Sequence, residues 1–160
     1  GKDLSYFDQE TNERVVPRVA SAPSQGLERA FLMFLFDAYD DDKQRGNVVL
    51  KLHPKLAPVK AGIFPLINKP ELISLAKKIQ TALQTICTVQ YDQSGSVGRR
   101  YARADEIGVP YCITVDFDSL KDNMVTVRNR DTTEQKRVKI DMLPIFVANL
   151  INGTTPFSTL

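Results

Sequence analysis

A short segment at residues 96–108 carries the side chains best suited to chemistry, because three arginines and two carboxylates lie between two apolar runs. Guanidinium groups bind phosphates, and a carboxylate accepts a hydrogen bond from an exocyclic base amine. The residues are Arg99, Arg100, Arg103, Asp105 and Glu106. A second interpretation is open: on a helix, Arg99, Arg103 and Glu106 would share one solvated face and neutralise one another.

The sequence contains no pattern typical of a metal site or a nucleophile. Cys87 and Cys112 lie in separate apolar runs, and His53 is the only histidine, so no spaced set of ligands is present. We expect two buried, reduced thiols, because a nucleophilic cysteine needs a histidine or a helix N-terminus beside it. No signal-peptide pattern or long apolar run is present, so we expect neither secretion nor a membrane span.

The elements that must position the arginines alternate between strand and helix. The apolar patterns predict strands at 59–67, 86–91, 111–117, 124–128 and 135–140, and helices at 71–83, 96–107 and 141–151. Asp141 is the expected N-cap of the last helix, and Pro144 is tolerated in its first turn. The order predicts an α/β fold, with a mixed, mostly five-stranded sheet flanked by about three helices.

The first 48 residues differ from the rest in charge and in pattern. They hold six basic and nine acidic residues, whereas residues 49–160 hold fifteen and ten. Two apolar segments around the polar turn 9–13 predict a hairpin, and residues 27–39 predict a helix that is apolar on nearly every side, as in helices buried in a large body. The charged stretch 40–47 predicts a connector, so we place the domain boundary after residue 48.

Residues 91–108 resemble the anticodon-binding domain of glycyl-tRNA synthetases. The similarity continues at 56–60, 113–118 and 126–131, so four motifs occur in the order found in the family, over roughly residues 49–152. The resemblance implies the class IIa anticodon-binding fold and a role in binding the anticodon of glycine tRNA. It also implies a synthetase that joins glycine to this tRNA with ATP and Mg²⁺.

Residues 23–29 resemble motif 3 of class II aminoacyl-tRNA synthetases, where a strand meets a helix at the ATP and amino-acid pocket. The resemblance implies that Arg29 binds ATP and that Ser24 lines the glycine pocket. A planar, permanently charged guanidinium suits the first role. Taken without the family, Ser24 is a helix cap and Arg29 a surface residue. The two resemblances together imply that residues 1–48 are the end of a catalytic domain and that residues 49–160 are the anticodon-binding domain.

One residue departs from the family pattern at this corner. The glycyl family carries a glutamate before Pro-Ser, which holds the ammonium group of glycine, and this chain carries Ala22. Motifs 1 and 2 of the class, with the dimer interface, are not among the 160 residues. We therefore expect this segment alone to be inactive and without a cofactor, and a longer, homodimeric enzyme to use ATP.

The resemblance places anticodon recognition on the basic second part. Glycine anticodons end in two cytosines, whose amines can donate to a carboxylate, and unpaired bases stack on aromatic or guanidinium planes. We predict phosphate and stacking contacts from Arg99, Arg100, Arg103, Arg128 and Arg130, and cytosine readout by Asp105, Glu106 and Asp131. Asp92 is a further candidate carboxylate, and Tyr101 either stacks on a base or belongs to the core.

Two other classes of function remain open. A non-catalytic relative of the synthetases, such as a DNA polymerase accessory subunit, would bind nucleic acid and a partner protein, and Ala22 is compatible with such a loss of catalysis. A small-molecule enzyme of the doubly wound type would need a glycine-rich phosphate loop after the strand at 59–67, and none follows. We expect a cytoplasmic protein, or one of an organelle matrix, without membrane contact.

Overall fold

The computed structural model describes residues 1–16 and 23–157, which form two compact units that divide between Leu32 and Met33. The first unit contains strands β1 (Tyr6–Asp8) and β2 (Glu13–Val15), paired antiparallel as the predicted hairpin. The Asp8 carboxylate closes the turn by accepting the N–H of Glu10 at 3.0 Å and the hydroxyl of Thr11 at 3.0 Å.

Helix α1 (Leu27–Ala38) is apolar on most sides, as predicted, but its side chains are largely exposed. Leu27, Phe31 and Phe36 are 81%, 63% and 75% exposed, and only Ala38 of this helix is buried. Ala38 packs with Leu52 in a small apolar cluster of the second unit.

Residues 39–50 form a second hairpin, with strands β3 (Tyr39–Asp42) and β4 (Asn47–Leu50). The stretch at 40–47 that was predicted as a charged connector is therefore folded as a hairpin. The Asp42 carboxylate accepts the N–H groups of Gln44 and Arg45, both at 3.0 Å, and Gly46 takes a left-handed φ of +72°. These local interactions fold the charged stretch into a tight turn.

The second unit is built on a five-stranded mixed sheet with helices on both faces, which confirms the predicted fold class. The strands are β5 (Ala61–Pro65), β6 (Val89–Tyr91), β7 (Tyr111–Val115), β8 (Met124–Asn129) and β9 (Gln135–Lys139), in the order β6-β5-β7-β8-β9. Strand β5 is parallel to β6 and β7, and β8 is antiparallel to β7 and β9. The helices are α2 (Pro70–Gln84), α3 (Val97–Glu106), the short α4 (Ser119–Asp122) and α5 (Leu143–Asn152).

The core lies mainly on one face of the sheet, where α2 and α5 cover residues such as Ile63, Ile113 and Val127. Helix α3 covers the opposite face through a smaller cluster that includes Phe64 and Cys112. Every residue of β5 and β7 is buried, as expected for strands with helices on both faces.

Helix α5 begins differently from the prediction. The chain enters it through a 3₁₀ turn (Ile140–Met142), so Met142 is the N-cap residue and no side chain caps the helix. The predicted capping role of Asp141 is therefore wrong, whereas Pro144 does lie in the first turn. Among the helices of the described residues, none is both long enough and apolar enough to cross a membrane.

Candidate nucleic-acid interface

Helix α3 forms as predicted and presents the arginine-rich segment on one face of the sheet. Ser96 is its N-cap, with a side-chain oxygen that accepts the N–H of Arg99 at 3.4 Å. The helix ends before Gly108, whose φ of +78° favours glycine. A Cβ atom at Gly108 would lie only 3.0 Å from the carbonyl oxygen of Leu50, so the end of α3 packs closely against β4.

The helical period divides the charged residues of α3 between two faces. Arg99, Arg103 and Glu106 are exposed, whereas Arg100 and Asp105 are buried on the side of the helix that packs on the sheet. Within the described residues, the guanidinium group of Arg99 and the carboxylate of Glu106 form no hydrogen bond or ion pair. No ion pair joins Glu106 to either arginine in this part of the chain, so the self-neutralising face does not form.

Arg100 is buried in the structure, and this placement does not support its predicted contact with phosphate. Its side chain is only 2% exposed and donates to the carbonyl oxygens of Gln93 at 3.0 Å, Ser94 at 3.3 Å and Gly95 at 2.7 Å. It also donates to the carbonyl oxygen of Pro65, at the end of β5. Arg100 therefore fixes the loop between β6 and α3, because buried polar groups must find partners within the protein.

Arg103 remains half-exposed and is oriented by Asp92. Its Nε and Nη2 atoms lie 3.1 Å and 2.5 Å from the same carboxylate oxygen, and Nη2 donates to the carbonyl oxygen of Ser94 at 2.8 Å. Partial burial of Asp92 opposes its ionisation, but hydrogen bonds from Ser94 and Arg103 outweigh this effect and hold the pKa of Asp92 below its usual value. Asp92 thus positions Arg103.

Asp105 and Arg128 form a buried ion pair beneath α3, and this placement does not support their predicted contacts with RNA. Two parallel hydrogen bonds, of 2.9 Å and 3.1 Å, join them, and the side chains are 3% and 9% exposed. Burial opposes the charge on Arg128, yet Asp105 outweighs it and raises the pKa of Arg128. The guanidinium group lies 4.8 Å from the centre of the Tyr101 ring.

Tyr101 belongs to the core rather than to a stacking surface. Its hydroxyl group lies 2.5 Å from the Thr114 hydroxyl, and its ring meets Phe64 edge to face at 5.7 Å. Burial raises the pKa of Tyr101. Of its two predicted roles, the structure places it in the core.

Arg130 is buried and orients a neighbouring carboxylate, and this placement does not support its own predicted contact with RNA. The side chain is 1% exposed and donates to the carbonyl oxygens of Gly108 at 2.9 Å and Leu52 at 2.8 Å. Its Nε and Nη2 atoms donate to the two oxygens of Asp131 at 2.8 Å and 3.1 Å. The Asp131 carboxylate, 45% exposed, is consequently held in a fixed direction beside the end of α3.

One residue of this region was missed by the sequence analysis. Arg45, in the turn of the β3–β4 hairpin, donates from Nη1 to the carbonyl oxygen of Arg130 at 2.7 Å and from Nη2 to that of Asp131 at 2.9 Å. The Asp42 carboxylate lies 3.0 Å from its Nε atom. The sequence did contain a signal for the hairpin that places Arg45, because Gly46 followed by the apolar residues 48–50 is typical of a turn leading into a strand.

The predicted ATP and glycine residues lie in the first unit. Ser24 and Arg29 are both exposed; Ser24 precedes α1, Arg29 lies in its first turn, and Ala22 lies outside the described residues. Among the described residues, no group of three or more potential ligands could hold a metal ion. Both cysteines are free thiols, and burial raises the pKa of Cys112 to about 12.

Comparison with known proteins places the chain in a family. The anticodon binding domain family matches residues 58–150. Proteins named glycine–tRNA ligase are similar over nearly the whole chain. The protein from Corynebacterium efficiens is 52% identical, and the one from Thermobifida fusca is 46% identical, each over 96% of this chain and 34% of its own length. The protein from Rhodopirellula baltica is 53% identical over 88% of this chain and 27% of its own length. The chain spans about a third of the length of these relatives.

Proposed function

The chain belongs to the anticodon binding domain family, and we propose that it recognises the anticodon of glycine tRNA as part of a longer glycine–tRNA ligase. The observation that carries this proposal is the Asp131 carboxylate. It is exposed, and it is fixed by the buried Arg130, which also binds the carbonyl oxygen of Gly108 at the end of α3. A fixed acceptor for a base amine, with exposed arginines on the same helix, would combine base readout with phosphate binding.

We assign cytosine readout to Asp131 and Glu106, the two predicted carboxylates that are exposed. Both Asp131 oxygens already accept hydrogen bonds from Arg130, but a carboxylate oxygen can accept more than one, so a base amine can still donate to it. Because Arg130 sets the direction of this carboxylate in advance, binding a cytosine amine costs little side-chain entropy. Glu106 has no partner among the described residues and pays that entropy on binding.

We assign phosphate binding to the outer face of α3. Arg99 is exposed and free within the described part of the chain, and Arg103 is 45% exposed with Nε and Nη2 engaged by Asp92 and Ser94. These two arginines lie four residues apart, about one helical turn, so they can follow adjacent phosphates of one strand. Such contacts set the position of the RNA and are independent of base identity.

Affinity for two synthetic anticodon stem-loop RNAs tests the base contacts. One loop ends its anticodon in two cytosines, and the other has both of them changed to uracil. Asp131→Asn and Glu106→Gln should each cost roughly 1–3 kcal/mol against the first RNA and much less against the second, because an amide can present a donor where the base amine needs an acceptor. Glu71→Gln, on α2 across the sheet, is the matched control. If both variants discriminate between the two RNAs as well as the unmodified chain does, neither carboxylate reads a cytosine.

The salt dependence of binding tests the phosphate contacts. Arg99→Ala should weaken the binding of both RNAs equally and make the affinity less dependent on salt, because binding with one phosphate contact fewer releases fewer counterions. Lys78→Ala, an exposed cation on α2, is the control and should change neither quantity. A loss confined to the RNA with two cytosines would contradict the assignment of Arg99.

For the longer protein we propose the activity that its relatives are named for, which joins glycine to tRNA using ATP and Mg²⁺. Arg29 and Ser24 would contribute to the ATP and glycine sites, in a homodimer formed by segments outside this chain. The motif at residues 23–29 and the similarity to glycine–tRNA ligases over 96% of this chain support this proposal. Loss of ATP–pyrophosphate exchange on Arg29→Ala in the longer enzyme is the corresponding measurement.

A further inference from the structure

Three sets of side-chain contacts hold the turn that carries Asp131, in addition to the backbone hydrogen bond of 2.9 Å from the N–H of Arg130 to the carbonyl oxygen of Pro110. Asn129 accepts the N–H of Asp131 through its side chain at 2.7 Å, and Arg130 is fixed to Gly108 and Leu52. The third set comes from the β3–β4 hairpin, where Arg45 binds two consecutive backbone carbonyl oxygens, those of Arg130 and Asp131. Of Asn129, Arg130 and Arg45, only Arg45 lies outside the turn and binds the backbone of Asp131.

The Arg45 guanidinium group is itself pre-oriented. Its Nε atom lies 3.0 Å from a carboxylate oxygen of Asp42, and the other oxygen of Asp42 is fixed by two backbone N–H groups of the hairpin turn. Its Nη1 atom lies 3.6 Å from the buried Asp105 carboxylate. The side chain is 18% exposed, so these interactions are largely shielded from solvent. A planar fork with fixed donors can hold two carbonyl groups at once, which the single ammonium of lysine cannot match in the same geometry.

We propose that Arg45 is a positioning residue for anticodon recognition, which fixes the backbone of Arg130 and Asp131 and thereby the place of the Asp131 carboxylate. This inference rests on the function proposed above. Recognition groups must be held within about 0.5 Å of their productive geometry, and residues outside the contact surface supply that precision. Arg130 sets the direction of the carboxylate, and Arg45 sets the position of the chain that carries it.

The test uses Arg45→Lys, which keeps the charge beside Asp42 and Asp105 but loses the two-carbonyl grip. Affinities for the two stem-loop RNAs are measured at two salt concentrations. We expect the preference for two cytosines to fall at least about fivefold, the lower end of one base contact, with the salt dependence unchanged. Lys43→Ala, in the same hairpin turn and exposed, is the matched control and should keep the preference.

A double-mutant cycle separates positioning from a general loss of structure. In the Asp131→Asn background, Arg45→Lys should cause no further loss of preference, because the group it positions is already gone. In the Glu106→Gln background it should cause the full loss. Relaxation of the backbone ¹⁵N nuclei of Asp131 and Thr132 should report greater motion in Arg45→Lys, while the rest of the sheet stays unchanged.

The outcomes distinguish this inference from the proposed function. If the unmodified chain shows no preference for two cytosines, the proposed function fails, and the inference fails with it. If the preference exists and depends on Asp131 but survives Arg45→Lys, the inference alone is overturned. An equal loss of affinity for both RNAs, or an effect of Arg45→Lys that is the same with and without Asp131, would assign Arg45 to structure only and would also overturn it.

Discussion

Replacing Asp105 by leucine should destabilise the fold strongly, although this residue lies in the segment that resembles a recognition motif. Asp105 accepts two hydrogen bonds from Arg128, and both side chains are at least nine-tenths shielded from solvent. Arg45 also lies 3.6 Å from the same carboxylate. Removing Asp105 leaves the Arg128 charge buried without its counter-ion, and such a change costs about 3–5 kcal/mol of unfolding free energy.

Urea unfolding of the variants measures this cost. Asp105→Leu should lower the midpoint without changing the slope of the free energy with denaturant, since the surface exposed on unfolding stays the same. The double variant Asp105→Leu with Arg128→Met should recover most of the loss, because a buried ion pair and an apolar pair of similar volume are often close in stability. The recovered variant should retain the preference for two cytosines.

Two results would refute this reasoning. A loss below about 1 kcal/mol in Asp105→Leu would mean that solvent reaches Arg128 and that the pair behaves like a surface ion pair. A double variant that is as stable as the unmodified chain but has lost its preference between the two RNAs would return Asp105 to the recognition surface.

Two further predictions concern pH and backbone conformation. The pKa of Asp92 is lowered in the folded protein, so its stabilising effect is present above the ordinary carboxyl range and is lost as pH falls through the folded pKa. The difference in unfolding free energy between the unmodified chain and Asp92→Asn should be about 1 kcal/mol at pH 7 and should shrink below about pH 4. A difference that stays constant with pH would argue against the ion pair with Arg103. Gly108→Ala should cost about 1–3 kcal/mol, because it combines a left-handed φ with a 3.0 Å approach to the Leu50 carbonyl. Gly153→Ala, with a φ of +71° and nothing within 4 Å, is its control and should cost less by thermal unfolding, so equal losses would exclude a role for the close contact.

The sequence determined the elements and the family. Apolar periodicity located the five strands of the sheet and the helices α2, α3 and α5, because the alternation of buried and exposed positions is a local property of the chain. It did not locate the β3–β4 hairpin, whose turn depends on hydrogen bonds to Asp42 within a run of charged residues. The four motifs at 56–60, 91–108, 113–118 and 126–131 together indicated the anticodon-binding family, because they occur in the order found in that family.

Only the tertiary structure decided which charged residues are available to a ligand. A charged side chain is placed at the surface by default, since burial without a partner is costly. The partners that allow burial are distant in sequence: Arg130 binds the Leu52 carbonyl 78 residues away, Arg100 binds that of Pro65 35 residues away, and Arg128 binds Asp105. The helical period was consistent with the burial of Arg100 and Asp105, because both lie on the side of α3 that carries Tyr101 and Ala104. Composition and spacing record the charge of a residue, whereas long-range packing determines whether that charge holds the fold together or remains exposed to a ligand.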